Sequence, residues 1–322
     1  MVTQPDKPAG RKQILTETPV KKVAKKYGIP VLELKTQKSS SESEDKTEIQ
    51  NFKTEKNNKD KKFLDLSCSF EICDLSFELD LCLVYAFSQI IPKDLLDVPK
   101  LGFCNIHPSL LPKYRGPSPI AYALIFGEKE TGVTIIKMDE KIDHGPIIAQ
   151  EKLKIEDTDC RPDLEKKLTD LGFNLFKKTV FKKNSLYIGR YKEQNHKYAT
   201  YSRLLKKQDG FIPLSVLKKA LKNEPLKFEE LPVIIKEYLI KNSNLFQTSN
   251  FESRISSKII YDYFRGLSPW PGIWTLLPNG KRLKIINMDF NVTRYTLHVT
   301  RVQLEGKKEV DFETFNRAHH IF

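Results

Sequence analysis

The sequence predicts an α/β domain followed by a smaller β-rich domain. Three observations carry this reading. Apolar, β-branched runs alternate with segments of helical period from Leu79 to Phe181, the pattern of an α/β sheet with parallel pairs. A polar, irregular stretch then runs from Arg190 to Leu205. After Gly266 come short strands separated by turn signals, which point to a small β-barrel. A length of 322 residues suits two domains.

The elements follow in order. Pro19 to Tyr27 reads as a basic amphipathic helix, with Val20, Val23, Ala24 and Tyr27 at helical spacing. Gly28 and Pro30 end it, and Val31 to Leu34 reads as a strand. Lys35 to Lys62 holds only Ile49 and Phe52 as apolar residues, too few to order it, and is expected to be a flexible insertion. Leu79 to Tyr85 is a buried-strand candidate, and Lys93 to Leu96 a short helix introduced by Pro92. Gly102 to His107 is a strand running into a loop, and Ser118 to Phe126 a helix. Strands are expected at Val133–Met138 and Gly145–Leu153, then a long amphipathic helix from Asp163 to Phe181. Leu214–Leu221 and Leu231–Lys241 look helical. The final strands are Ile273–Leu277, Arg282–Met288 and Tyr295–Val302, and Trp270 reads as barrel core.

Composition limits the function classes. No run of apolar residues is long enough to span a membrane. The start lacks the charged and apolar regions of a secretory signal. The five cysteines are odd in number and include no CxxC pair, so reduced thiols in a cytoplasm, or alternatively an organelle matrix, are expected. The formal charge of +13 points to a polyanionic partner. From Tyr201 onward 20 Lys+Arg face 12 Asp+Glu, so the C-terminal part carries most of the excess. Solvated surface lysines would give the same balance.

The chemistry concentrates between Gly102 and Gln150. Asn105 and His107 are two apart at a strand end and so face one side. Asp143 lies in a turn between two strands, where a carboxylate reaches back to an imidazole at the sheet edge. An amide and an imidazole suit acyl transfer to an amine. Their N–H groups stabilise the oxyanion, at about 3–4 kcal/mol for one donor, and a histidine oriented by a carboxylate moves protons near neutral pH. Each residue has a duller reading: an Asp before Gly is often just a turn former, and His144 competes with His107.

Asn105-Ile106-His107-Pro108-Ser109-Leu110-Leu111-Pro112-Lys113-Tyr114-Arg115-Gly116 resembles the signature N-x-H-x-S-L-L-P-x-x-R-G of formyltransferases that use 10-formyltetrahydrofolate. The Asp143-x-Gly145 turn, 36 residues beyond His107, is similar to that of the family's catalytic Asp. Thr3 to Lys12 resembles the basic loop of methionyl-tRNA formyltransferases, and Arg265 to Gly272 their N-P-W-P-G segment. The resemblance implies a Rossmann-like formyltransferase domain over 1–189, a linker over 190–202 and an OB-like β-barrel over 203–322. It implies Asn105, His107 and Asp143 as catalytic residues and Ser109, Leu110, Leu111 and Pro112 as folate contacts. It implies Arg11, Lys12 and Lys7 as tRNA contacts. The formyl donor implied is 10-formyltetrahydrofolate and the acceptor initiator methionyl-tRNA. No metal, membrane or stable protein partner is implied. Family members place a strand, a helix and a strand before the motif at Thr3, so the resemblance also implies that this segment is missing here. The alternatives are another 10-formyltetrahydrofolate-using transferase or hydrolase, or an inactive RNA-binding relative.

Overall fold

The structure is a computed structural model that describes residues 79–87, 91–182, 191–245 and 255–322, with short stretches at 2–3, 7–9, 14–17, 19–26, 32–33 and 185–186. The chain divides into two compact units, Met1–Glu78 and Leu79–Phe322. In the first, β1 (Val2–Thr3) pairs in parallel with β4 (Leu32–Glu33). There, β2 (Lys7–Ala9) and β3 (Ile14–Thr16) form a hairpin, followed by helix α1 (Pro19–Lys26). The 35–62 insertion lies outside the described residues.

The second unit opens with a four-stranded sheet in the order β5 (Cys82–Val84), β6 (Phe103–His107), β7 (Glu130–Lys137), β8 (Ile147–Lys154). β5 and β6 run parallel, as the sequence predicts, whereas β6–β7 and β7–β8 are antiparallel. The connection from Met138 to Pro146 is shorter than the roughly dozen residues a parallel crossover needs, so β8 folds straight back. β7 is buried from Thr131 to Ile136 because both its faces are covered. β8 alternates, as a strand with one wet face does. Short helix α2 (Lys93–Leu96) follows β5, and α3 (Pro119–Ile125) lies between β6 and β7. Helix α4 (Arg161–Thr179) turns Leu164, Leu168, Gly172 and Leu175 inward at helical spacing. A Cβ on Gly172 would stand 2.6 Å from Ile106 Cγ2, so glycine lets the helix lie close on the sheet. Two further short strands, β9 (Phe181–Lys182) and β10 (Ser185–Leu186), pair antiparallel.

Beyond residue 200, helices α5 (Leu214–Leu221) and α6 (Val233–Lys241) match the sequence reading. Helix α7 (Ser256–Leu267) has no counterpart in it. Every residue of α7 except Lys258 is buried, and its apolar positions Ile259, Ile260, Tyr263, Phe264 and Leu267 recur at helical spacing. α7 crosses α3 at Gly266, where a Cβ would stand 2.7 Å from the Ala121 carbonyl and 2.6 Å from Ile125 Cγ1. Arg265 of α7 donates to the carbonyls of Glu156 and Asp159 (3.1 and 3.0 Å) and pairs with Asp262.

A second sheet, β11 (Ile273–Leu276), β12 (Arg282–Asn291), β13 (Thr296–Leu304) and β14 (Glu309–Asp311), is an antiparallel meander, closed off in sequence by helix α8 (Phe312–His319). Where the sequence pointed to a barrel, this sheet is open: among the described residues β11 and β14 do not pair. Trp270 corrects the reading as barrel core, because it is 52% exposed. It stands between two prolines in the turn before β11, where neither flanking residue can join a ladder. The tryptophan that packs is Trp274, on Phe211 at 4.9 Å between ring centroids. No helix among the described residues is long and apolar enough to cross a membrane.

The tight α3–α7 crossing gives a stability prediction. Gly266→Ala forces a methyl group against backbone and is expected to cost about 1–3 kcal/mol. Urea denaturation should show a lower midpoint with an unchanged slope.

Candidate active site

The site forms where β6 ends. Asn105 and His107 project from the same face of β6, opposite Ile136 and Thr134 of β7. The loop that follows is fixed by polar bonds to the sheet. Thr134 Oγ1 donates to the Ser109 carbonyl (2.6 Å) and accepts from Leu111 N (3.1 Å). Gln150 Nε2 donates to both Thr134 Oγ1 and the Leu111 carbonyl (2.8 and 3.1 Å). The Leu111–Pro112 bond is cis, and Tyr114 takes a left-handed conformation with φ 59°. That turn brings the Tyr114 carbonyl to 3.0 Å from His107 Nε2.

Asp143 arrives from the β7–β8 turn, also left-handed with φ 48°. Its Oδ1 accepts from Asn105 Nδ2 at 3.2 Å and lies 3.5 Å from His107 Nδ1. Its Oδ2 accepts from the amide of Gly116 at 2.7 Å. The structure therefore brings Asn105, His107 and Asp143 together. It places His144 elsewhere: Nδ1 of that ring bonds Asp139 at 2.6 Å, and the ring stacks on His196.

A carbonyl only accepts, so the His107 hydrogen sits on Nε2 and is donated to Tyr114. Burial holds this imidazole below its ordinary pKa, and the Arg115 charge adds to that, against the opposing pull of Asp143 and the Tyr114 carbonyl. His107 is then neutral at pH 7 and presents a bare Nδ1 toward Asp143. That nitrogen can take a proton, and the resulting cation would be paired at once.

Ser109 is buried and donates to the Lys113 carbonyl (2.6 Å), and Leu111 is buried beside it. Leu110 and Pro112 are half-buried at the rim. A cleft of about 400 Å³ lies between α2 and the β7–β8 turn, lined among others by Lys93, Leu96, Lys137, Asp139 and His144. Lys7 lies on β2, opposite Thr16, whereas Arg11 and Lys12 lie outside the described residues.

Residues 191–202, polar in sequence, contribute buried groups that sequence reasoning missed. Gln194 donates to the carbonyls of Asp143 and Gly145 (2.9 and 2.7 Å), and its oxygen accepts from Arg115. Thr200 and Ser202 bond the backbone of Tyr114 and Ser118. Arg115 stood in the signature, but nothing near Gln194 in sequence marks it.

Residues 1–180 match the domain family described as formyl transferase. The chain belongs to the formyl transferase family. It is 34% identical over 290 residues to a methionyl-tRNA formyltransferase of Staphylococcus epidermidis, covering 89% of this chain and 70% of that relative. A Staphylococcus aureus methionyl-tRNA formyltransferase is 33% identical over 291 residues, covering 90% and 71%. Among solved structures, a methionyl-tRNA formyltransferase from Clostridium thermocellum aligns with a TM-score of 0.44 and 19% identity, over 72% of this chain and 78% of that one. As a formyl transferase, the chain is an enzyme that moves a one-carbon acyl group.

The lowered His107 pKa fixes a pH dependence. The unfolded chain takes up this proton near the ordinary value of 6.5, before the folded one does. Its share of stability is complete above that value and is lost as pH falls toward the folded pKa. Denaturation from pH 7 downward should show this decline in the wild type and a smaller one in His107→Gln. Ring NMR should place the His107 titration below 6.5.

Proposed function

We propose that this formyl transferase carries the formyl group of 10-formyltetrahydrofolate to the amino group of methionine on initiator tRNA. One observation carries the choice of acceptor. The likeness to proteins named methionyl-tRNA formyltransferase extends over about nine-tenths of the chain, well past residue 180, where the family domain ends.

The chemistry follows from the cluster. The methionine nitrogen bonds to the formyl carbon, whose oxygen gains negative charge. The Asn105 amide, with one N–H engaged by Asp143, has its second N–H for that oxygen. The attacking nitrogen sheds a proton to the pair formed by His107 Nδ1 and Asp143. The C–N10 bond of the folate then breaks, the proton passes to N10, and His107 returns to its neutral form. Leu110 and Pro112, with Ser109 and Leu111 behind them, form the rim against which the folate lies.

In this reading 1–189 is the catalytic domain, 190–202 the connection and 203–322 an OB-like unit that faces tRNA. The net charge of +8 from Tyr201 onward supplies that surface. Lys7, Arg11 and Lys12 form a second basic contact.

Asn105→Ala, His107→Ala and Asp143→Ala should each slow formyl transfer by about 10²-fold or more while the chain stays folded. A near-normal rate in His107→Ala would transfer the role to His144. In a salt series with the full chain, log affinity for charged initiator tRNA should fall with log salt by roughly 0.7–0.9 per neutralised phosphate. Replacing Arg11 and Lys12 together by alanine should flatten that slope; an unchanged slope removes them from the interface.

A further inference from the structure

The turn that presents Asp143 is held from behind. A non-glycine residue at φ 48° is held there against its backbone preference. One group secures both sides of the bend: Gln194 Nε2 donates to the Asp143 carbonyl at 2.9 Å and the Gly145 carbonyl at 2.7 Å. The amide of Gln194 has no freedom to flip. Its Oε1 accepts from Arg115 Nη2 at 2.6 Å and from Nε at 3.2 Å. A guanidinium only donates, so the amide oxygen must face Arg115 and the NH₂ must face the two carbonyls.

Arg115 itself is only 1% exposed. Its remaining partners are also uncharged or weakly basic: the Tyr201 hydroxyl at 3.2 Å and His196 Nδ1 at 2.8 Å. Among the described residues no carboxylate lies within ion-pair distance of it. A buried cation with no counter-ion among the described residues is costly there, and packing alone is better served by an apolar side chain. The segment that carries Gln194 is tied to both catalytic loops. Lys192 exchanges backbone bonds with Ile147 (both 2.8 Å). Arg115 does so with Thr200 and Ser202 (2.8 and 2.7 Å).

We propose that Gln194 and Arg115 are positioning residues for Asp143: Arg115 orients the Gln194 amide, and Gln194 fixes the peptide frame from which the carboxylate meets Asn105 and His107. This rests on the reading of Asp143 as catalytic. Neither residue touches the reacting atoms.

Gln194→Glu separates positioning from structural support. The new carboxylate gives Arg115 a counter-ion, which favours the fold, but turns oxygens toward the carbonyls of Asp143 and Gly145. The thermal midpoint should hold or rise. The kcat for formyl transfer should fall about 10- to 100-fold, with KM for charged tRNA within about threefold of wild type. Gln194→Met, which keeps the length and lacks the amide, should lose kcat similarly. Both are then measured in an Asp143→Asn background, below every variant's midpoint. If Gln194 acts through Asp143, its replacement there has little further effect. Wild-type kcat in Gln194→Glu, or an equal fractional loss in both backgrounds, overturns the proposal and leaves Asp143 catalytic. Full activity in Asp143→Asn overturns the catalytic reading of Asp143 and the proposal with it.

Discussion

The Asp143 carboxylate is the tie on which the site depends. One oxygen accepts from the Gly116 amide and the other from Asn105, while facing the His107 ring. Three separate stretches, the end of β6, the loop after it and the β7–β8 turn, are thereby held around one anion. The side chain is only 13% exposed, and a carboxylate so shielded needs such donors. Gly116 makes one of them possible. It sits at φ 95°, and a Cβ there would stand 2.5 Å from the Ser202 carbonyl, so only glycine lets the amide turn toward Asp143 with Ser202 packed behind.

The rest of the loop is held by satisfied polar groups together with the buried side chains of Leu111 and Tyr114. Thr134, on a strand buried on both faces, has its hydroxyl fully engaged by Ser109, Leu111 and Gln150. A network of that kind specifies one loop conformation, because any other leaves buried groups unpaired. His107 stands still as a result: its Nε2–H bond to Tyr114 exists only while the loop keeps its left-handed turn at Tyr114.

Legibility in the sequence followed the range of the signal. Asn105 and His107 could be read together because a strand's period of two puts them on one face. The helix α4 was legible from its one-sided apolar stripe, and α5 and β12 from runs bounded by turn residues. Asp143 is a candidate only from its place in a turn between two strands, where aspartates often serve just the turn, and the resemblance to the family's signature is what singles it out. Gln194 was invisible: it sits in a polar stretch, and its importance comes from two carbonyls far away in the chain. Helix α7 has no counterpart in the sequence reading although Ile259, Ile260, Tyr263, Phe264 and Leu267 mark one face of it at helical spacing. Trp270 was misplaced because an aromatic residue in an apolar segment is assigned inward, while its flanking prolines keep it out of the sheet and leave the packing to Trp274.

Arg265 bears on how such a chain can be recombined. Its guanidinium reaches from α7 to the carbonyls of Glu156 and Asp159, in the bend just ahead of α4, while Asp262 balances its charge. Exchanging everything after residue 202 for the corresponding part of another protein would therefore not be a clean graft. The incoming part must bring a donor of the same reach, or the bend before α4 loses the partner of the buried Asp159 carbonyl and of the Glu156 carbonyl beside it. The chain reads as two modules along its length, and a crossover placed at the 190–202 connection would separate α3 from the α7 helix that packs on it at Gly266.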